Sequence, residues 1–144
     1  MKSYTIHLIR HAYTKGNLEG RYIGHTDESL CKEGIDQLNT MLKDYDYPKA
    51  DVVFSSTLKR CIETAKIIYP DKNPIEMRGF DECDFGEFEN LTAEELAPHE
   101  EFKEWLSGGP DARPLNGESN QEFSTRVCDT FIKTVEGLIK TGTT

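Results

Sequence analysis

The chain has 144 residues, 36 % of them apolar and 30 % charged, with 17 Lys and Arg against 26 Asp and Glu for a net charge of −9. This composition supports one ordinary domain with a core and argues against wholesale disorder. It also argues against a general nucleic-acid binder, which needs a basic face, and no apolar run approaches the roughly 18 residues of a membrane span.

Residues 4–9, Tyr-Thr-Ile-His-Leu-Ile, are rich in strand formers and deliver Arg10 and His11 at their end. A polar loop with Gly16, Asn17, Gly20 and Gly24 runs to about Glu28. Ile35, Leu38, Met41, Leu42 and Tyr45 then share a helical face, which Pro48 ends. Residues 51–56 read as a buried strand that runs into a helix over about 58–69, stopped by Pro70, and residues 74–77 as a third strand. An irregular acidic segment spans 80–90. Two helical stretches follow, about 92–106, broken near Pro98, and about 120–140, with Phe123, Val127, Phe131, Val135 and Leu138 on one face and Gly142 beyond its end.

This order predicts a single α/β domain over residues 1–144, three-layer α/β/α with a mostly parallel sheet. No strand follows the last helix, so the C-terminal part of the sheet is expected to be missing and its edges left open. Association into a homodimer is one way to cover them. The start of the chain lacks a signal peptide's apolar stretch, and Cys31, Cys61, Cys83 and Cys128 contain no C-x-x-C pair. A cytoplasmic protein with reduced thiols is expected.

Chemistry concentrates at two strand ends. Arg10 and His11 end the first, while Ser55, Ser56 and, one helical turn on, Arg60 end the second. Neighbouring parallel strands lie about 4.8 Å apart, so these side chains can converge on one small anion. Two guanidiniums around an imidazole describe a phosphate site with a nucleophile in it, the nearby cations favouring a neutral ring. His7 and His11 sit four residues apart, roughly 13 Å on a strand, too far for one zinc, and no metal or cofactor is expected. Trp105, Phe102 and Tyr22 are candidates to line a substrate end, but amphipathic spacing makes Phe102 and Trp105 core, which leaves Tyr22.

The run from Leu8 to Asn17, Leu-Ile-Arg-His-Ala-Tyr-Thr-Lys-Gly-Asn, resembles the opening signature of the histidine phosphatase, or phosphoglycerate mutase-like, superfamily. Gly24-His25-Thr26-Asp27 with Leu30, Gly34 and Gln37 looks like that family's substrate loop and first helix. Ser55-Ser56-Thr57-Leu58-Lys59-Arg60 with Thr64-Ala65 looks like its second arginine motif, the 80–89 run like its acidic motif, and Gly117-Glu118-Ser119 with Arg126 like its late helix start. Five motifs in order cover nearly the whole chain.

The resemblance implies a phosphomonoester hydrolase acting on a small phosphorylated metabolite. His11 becomes phosphohistidine and water then releases phosphate. Arg10 and Arg60 hold the phosphoryl oxygens with Asn17, the loop at Ile23 and Gly24 meets the rest of the substrate, and Glu82 acts as acid and base. Asp81, Asp84 and Glu87 are expected to keep Glu82 partly protonated through like charge. A phosphoglycerate-type mutase is the alternative, but only about 28 residues separate Glu89 from Glu118, short of the long insertion of such mutases. A truncated, non-catalytic phosphate-binding domain is another. Ala12 stands where the family usually has glycine, which is tolerable at negative φ. The family's second catalytic histidine follows the late helix, and no histidine follows Arg126 here, so a weak or inactive chain is expected.

Overall fold

Among the described residues, four of the six α-helices begin at a residue whose side chain accepts from a free amide of the first turn. In the computed structural model, which describes residues 1–142, the elements are α1 (Lys15–Leu18), α2 (Lys32–Asp44), β1 (Phe54–Ser55), α3 (Lys59–Ile68), β2 (Ile75–Glu76), α4 (Ala93–Leu96), α5 (Glu100–Leu106) and α6 (Asn120–Thr141). Capping boxes open α1, α4 and α6: Thr14 with Asn17, Thr92 with Glu95, and Ser119 with Glu122. Gly142 ends α6 in the left-handed region at φ 66°, as its place in the sequence predicts. Pro98 falls between α4 and α5, and two 3₁₀ turns, Arg78–Phe80 and Gly86–Phe88, shape the acidic segment.

The sheet corrects the expectation. β1 and β2 pair in parallel, Phe54 opposite Ile75 and Ser55 opposite Glu76, and among the described residues they form a two-stranded sheet. Among the described residues, 4–9 form no backbone–backbone hydrogen bond with another segment. Strand propensity needs a neighbour whose N–H and C=O groups complete the ladder. A slot of about 580 Å³ separates this segment from residues 51–56, so the two do not pair and the middle layer of the expected three-layer sandwich is incomplete.

One apolar cluster contains no residue of either strand. Phe88, Leu96 and Phe102 are buried, with Tyr22, Phe85, Leu91 and Trp105 packed against them. The rings meet edge-on, Tyr22 at 5.6 Å from Trp105 and Phe88 at 5.6 Å from Phe102. Phe102 and Trp105 are therefore core, and Tyr22 joins them. Among the described residues no helix is long and apolar enough to cross a membrane.

Candidate active site

The turn from β1 into α3 exposes amides that side chains from two other segments satisfy. Thr57 donates its N–H to Asp81 Oδ1 at 2.7 Å, and Lys59 its N–H to Asp27 Oδ1 at 2.7 Å. These contacts fix the first turn of α3, which carries Arg60 into the protein interior, where only 1 % of it is exposed. Its Nη1 donates to Thr26 O at 2.9 Å, and its Nη2 to Gly24 O at 2.8 Å and Ile23 O at 3.3 Å. Nε is buried and has no hydrogen-bond partner among the described residues. All of its acceptors are neutral carbonyls, so among the described residues no carboxylate directly pairs this buried charge.

Glu89 holds the same loop from the other side. Its carboxylate accepts the N–H groups of Gly24 and His25 at 3.1 and 2.8 Å and the Thr26 hydroxyl at 2.8 Å. The loop passes so close to the acidic segment that a Cβ at Gly24 would collide with the Cys83 carbonyl. Only glycine fits there.

Thr64, one turn after Arg60, donates to the Arg60 carbonyl at 2.7 Å and accepts the Ala12 N–H at 3.0 Å, tying the His11 segment to α3. Ala12 does not adopt positive φ, so its methyl group is tolerated. His11 Nδ1 lies 2.6 Å from the Ala12 carbonyl oxygen. A carbonyl can only accept, so Nδ1 carries the proton and a neutral ring leaves its lone pair on Nε2. Burial pushes the His11 pKa below its ordinary value. The Ala12 hydrogen bond opposes this, the charges of Arg60 and Arg10 reinforce it, and Glu82 opposes it more weakly. Sequence reasoning expects neighbouring cations to keep the ring neutral, whereas desolvation is the larger cause.

The remaining candidates have unequal surroundings. Arg10 is exposed and lines a hollow of about 220 Å³ together with His11, Tyr13 and Tyr47. Asn17 Oδ1 accepts from the Thr14 N–H and hydroxyl at 2.9 and 3.0 Å, which leaves its NH₂ group as the donor toward a ligand. Ile23 and Gly24 are buried beneath Arg60. Glu82 accepts the Cys83 N–H through Oε1 at 2.8 Å.

The three carboxylates expected to crowd Glu82 each have partners elsewhere. Asp81 binds Thr57, Asp84 accepts the Gly86 N–H at 3.0 Å and lies 3.7 Å from His25 Nδ1, and Glu87 accepts from Asn116 at 3.2 Å.

Arg126 backs the acidic segment. Its guanidinium donates to the carbonyls of Gly79, Asp81 and Glu82 at 3.0, 2.9 and 3.2 Å and pairs with Glu118, whose carboxylate also accepts the Asp84 N–H at 2.9 Å. Glu89, Thr64 and the Arg126–Glu118 pair lay inside motifs visible in the sequence but had no role assigned there. The i, i+4 spacing of Arg60 and Thr64 was the available signal for one of them.

Residues 6–139 match the model of the histidine phosphatase superfamily (branch 1). The chain belongs to this superfamily. It is 34 % identical over 127 residues to the adenosylcobalamin/alpha-ribazole phosphatase of Escherichia coli, covering 83 % of this chain and 61 % of that protein. It is 32 % identical over 124 residues to phosphoserine phosphatase 1 of Hydrogenobacter thermophilus, covering 83 % and 59 %. A putative alpha-ribazole-5'-P phosphatase structure from Escherichia coli superposes with a TM-score of 0.78 at 30 % identity, covering 89 % of this chain and 65 % of that one. This histidine phosphatase chain thus spans about three-fifths of the length of these relatives, and shares their fold over that part.

Proposed function

We propose that the chain carries the phosphohistidine-forming part of a phosphomonoester hydrolase for small phosphorylated metabolites. One observation carries the reading: a guanidinium buried without a directly paired carboxylate, beside a half-buried imidazole kept neutral. A buried cation whose acceptors are neutral carbonyls rather than a paired anion is unfavourable, and a phosphoryl dianion bound at His11 offsets it.

In this reading His11 Nε2 attacks phosphorus. The P–O ester bond breaks, its electron pair stays on the leaving oxygen, and Glu82 supplies the proton. Water then attacks the phosphohistidine, Glu82 takes up a proton, and phosphate leaves with the N–P bond broken. Arg10, Arg60 and the Asn17 NH₂ group bind the phosphoryl oxygens, and the loop at Ile23 and Gly24 borders the rest of the substrate. The similar proteins include phosphatases and phosphoglycerate mutases, and the short stretch between Glu89 and Glu118 supports hydrolysis over mutase chemistry.

The test is incubation with p-nitrophenyl phosphate, reading both p-nitrophenol release and an acid-labile phosphoryl adduct by intact mass. The adduct is expected in the wild type and absent in His11→Ala. Turnover that survives His11→Ala overturns the nucleophile. Phosphate binding with neither adduct nor turnover assigns the chain to the non-catalytic reading.

A further inference from the structure

Backbone groups join the acidic segment to the stretch that precedes α6. Glu87 donates its N–H to the Leu115 carbonyl at 2.9 Å, and Glu118 donates its N–H to the Asp84 carbonyl at 2.9 Å. Two glycines permit so close an approach. A Cβ at Gly86 would collide with the Leu115 carbonyl, and one at Gly117 would lie 2.5 Å from the Asp84 carbonyl. The Asn116–Gly117 peptide bond sits between the two hydrogen bonds, so the length of backbone from 115 to 118 sets their spacing.

Residues 116 and 117 are also the only Asn-Gly pair in the sequence. Such a pair loses ammonia readily, because no Cβ on the second residue shields its backbone nitrogen. That nitrogen gives up its proton and attacks the asparagine Cγ. A C–N bond forms, the Cγ–Nδ2 bond breaks, and Nδ2 leaves with a proton as ammonia, which closes a succinimide ring. Water then opens the ring at either carbonyl. One product is aspartate. The other is isoaspartate, in which the former side chain has become main chain and the backbone is one atom longer.

In the closed junction both reacting groups are occupied. The Gly117 N–H donates to the Pro114 carbonyl at 3.0 Å, and Asn116 Nδ2 donates to Glu87 Oε1 at 3.2 Å. Asn116 is held at φ 61°, a left-handed value that asparagine tolerates better than most side chains. The residue is exposed, so these contacts protect it rather than burial.

We infer that Asn116–Gly117 is a self-modification site, triggered when this junction opens and then preventing its closure. Opening frees the Gly117 nitrogen and the Asn116 amide together, and the succinimide forms. Isoaspartate cannot keep both the Leu115–Glu87 and the Asp84–Glu118 hydrogen bonds, because the backbone between them has lengthened. Its new carboxylate also replaces a donor to Glu87 with a like charge. The segment that carries Glu82 thereby loses two backbone anchors. This inference does not rest on the phosphatase reading, and its test reads mass and amide exchange rather than activity.

The experiment incubates the 144-residue protein at pH 8 in heavy-oxygen water and follows residue 116 by peptide mapping, with isoaspartate separated from aspartate by fragmentation. Conversion is expected at least tenfold more slowly than in a synthetic peptide of residues 111–122, rising toward the peptide rate as urea opens the fold. In the isolated isoaspartyl chain, exchange at the Glu87 and Glu118 amides is expected to speed at least tenfold. The Ile75 and Met77 amides, which donate to the Val53 and Ser55 carbonyls, should keep their protection and so report an intact sheet. Conversion at the peptide rate in a chain whose sheet amides are protected overturns the inference, as does an isoaspartyl chain with Glu87 and Glu118 as protected as before.

Two variants separate charge from backbone length. Asn116→Asp adds the carboxylate without the extra atom and is expected to retain most of the Glu87 and Glu118 protection. Asn116→Gly accommodates the positive φ but carries no side-chain amide, and its exchange is expected to stay constant through the same incubation. Opening of the junction in Asn116→Asp as large as in the isoaspartyl chain overturns the role of backbone length, and ageing of Asn116→Gly at the wild-type rate overturns the site.

Discussion

Arg60 and Glu89 grip the same loop by opposite polarities. The guanidinium takes the carbonyls of Ile23, Gly24 and Thr26, while the carboxylate takes the N–H groups of Gly24 and His25. Two side chains 29 positions apart in sequence thus act as one clamp, each satisfying the half of the peptide groups that the other cannot.

Glu89→Gln removes the charge and one acceptor oxygen from that clamp. Hydrogen bonds to a charged group contribute about 1.5–3 kcal/mol each, so a loss of about that size is expected for the variant in urea unfolding. Faster amide exchange at Gly24 and His25 should accompany it, with Asn17 unaffected.

Arg60→Lys keeps the charge and loses the fork. An ammonium cannot reach three carbonyls in the guanidinium's geometry, so the loop at 23–26 should loosen and inorganic phosphate should bind at least tenfold more weakly by calorimetry. Unchanged phosphate affinity would separate Arg60 from the anion site and leave it a loop clamp alone.

The lowered His11 pKa fixes a pH dependence. The unfolded ring takes up a proton as pH falls through about 6.5 while the folded ring resists, so this contribution to stability is present above that pH and is lost as pH falls toward the folded value. Nitrogen-detected NMR should show an Nδ1–H, Nε2-bare ring with a midpoint below 6.5, and His11→Ala should flatten the stability profile in that window.

The Arg126–Glu118 pair acts lower on the pH scale. The Arg126 hydrogen bond holds the Glu118 carboxyl below its ordinary value near 4.5, so the stability it contributes is present above that pH and is lost as pH falls through the folded value. Arg126→Lys should weaken the protein more at pH 6 than at pH 3 in urea unfolding and speed exchange over residues 79–84.

Thiol chemistry should divide by site. Burial, then the negative charges of Glu118 and Glu82, push Cys83 up to about 12, while Cys128 is exposed on α6. Iodoacetamide at pH 8 should label Cys128 first and Cys83 last, read by peptide mapping. Early labelling of Cys83 would show that the acidic segment opens.

The linear order of residues determined a good deal by itself. Helical periodicity and punctuation by Pro48, Pro70, Pro98 and Gly142 marked α2, α3, the break between α4 and α5, and α6, because local capping and a repeating apolar face are short-range properties. The ordered Arg10-His11, Arg60 and acidic motifs gave the family. Tertiary structure alone decided whether residues 4–9 make a strand, since a ladder needs a partner that no local pattern supplies. It also decided how the site is held: Arg60 spends most of its fork on backbone carbonyls, Glu89 completes the clamp, and burial more than neighbouring charge keeps His11 neutral. Those are contacts between residues dozens of positions apart, and only their packing brings them within hydrogen-bond range.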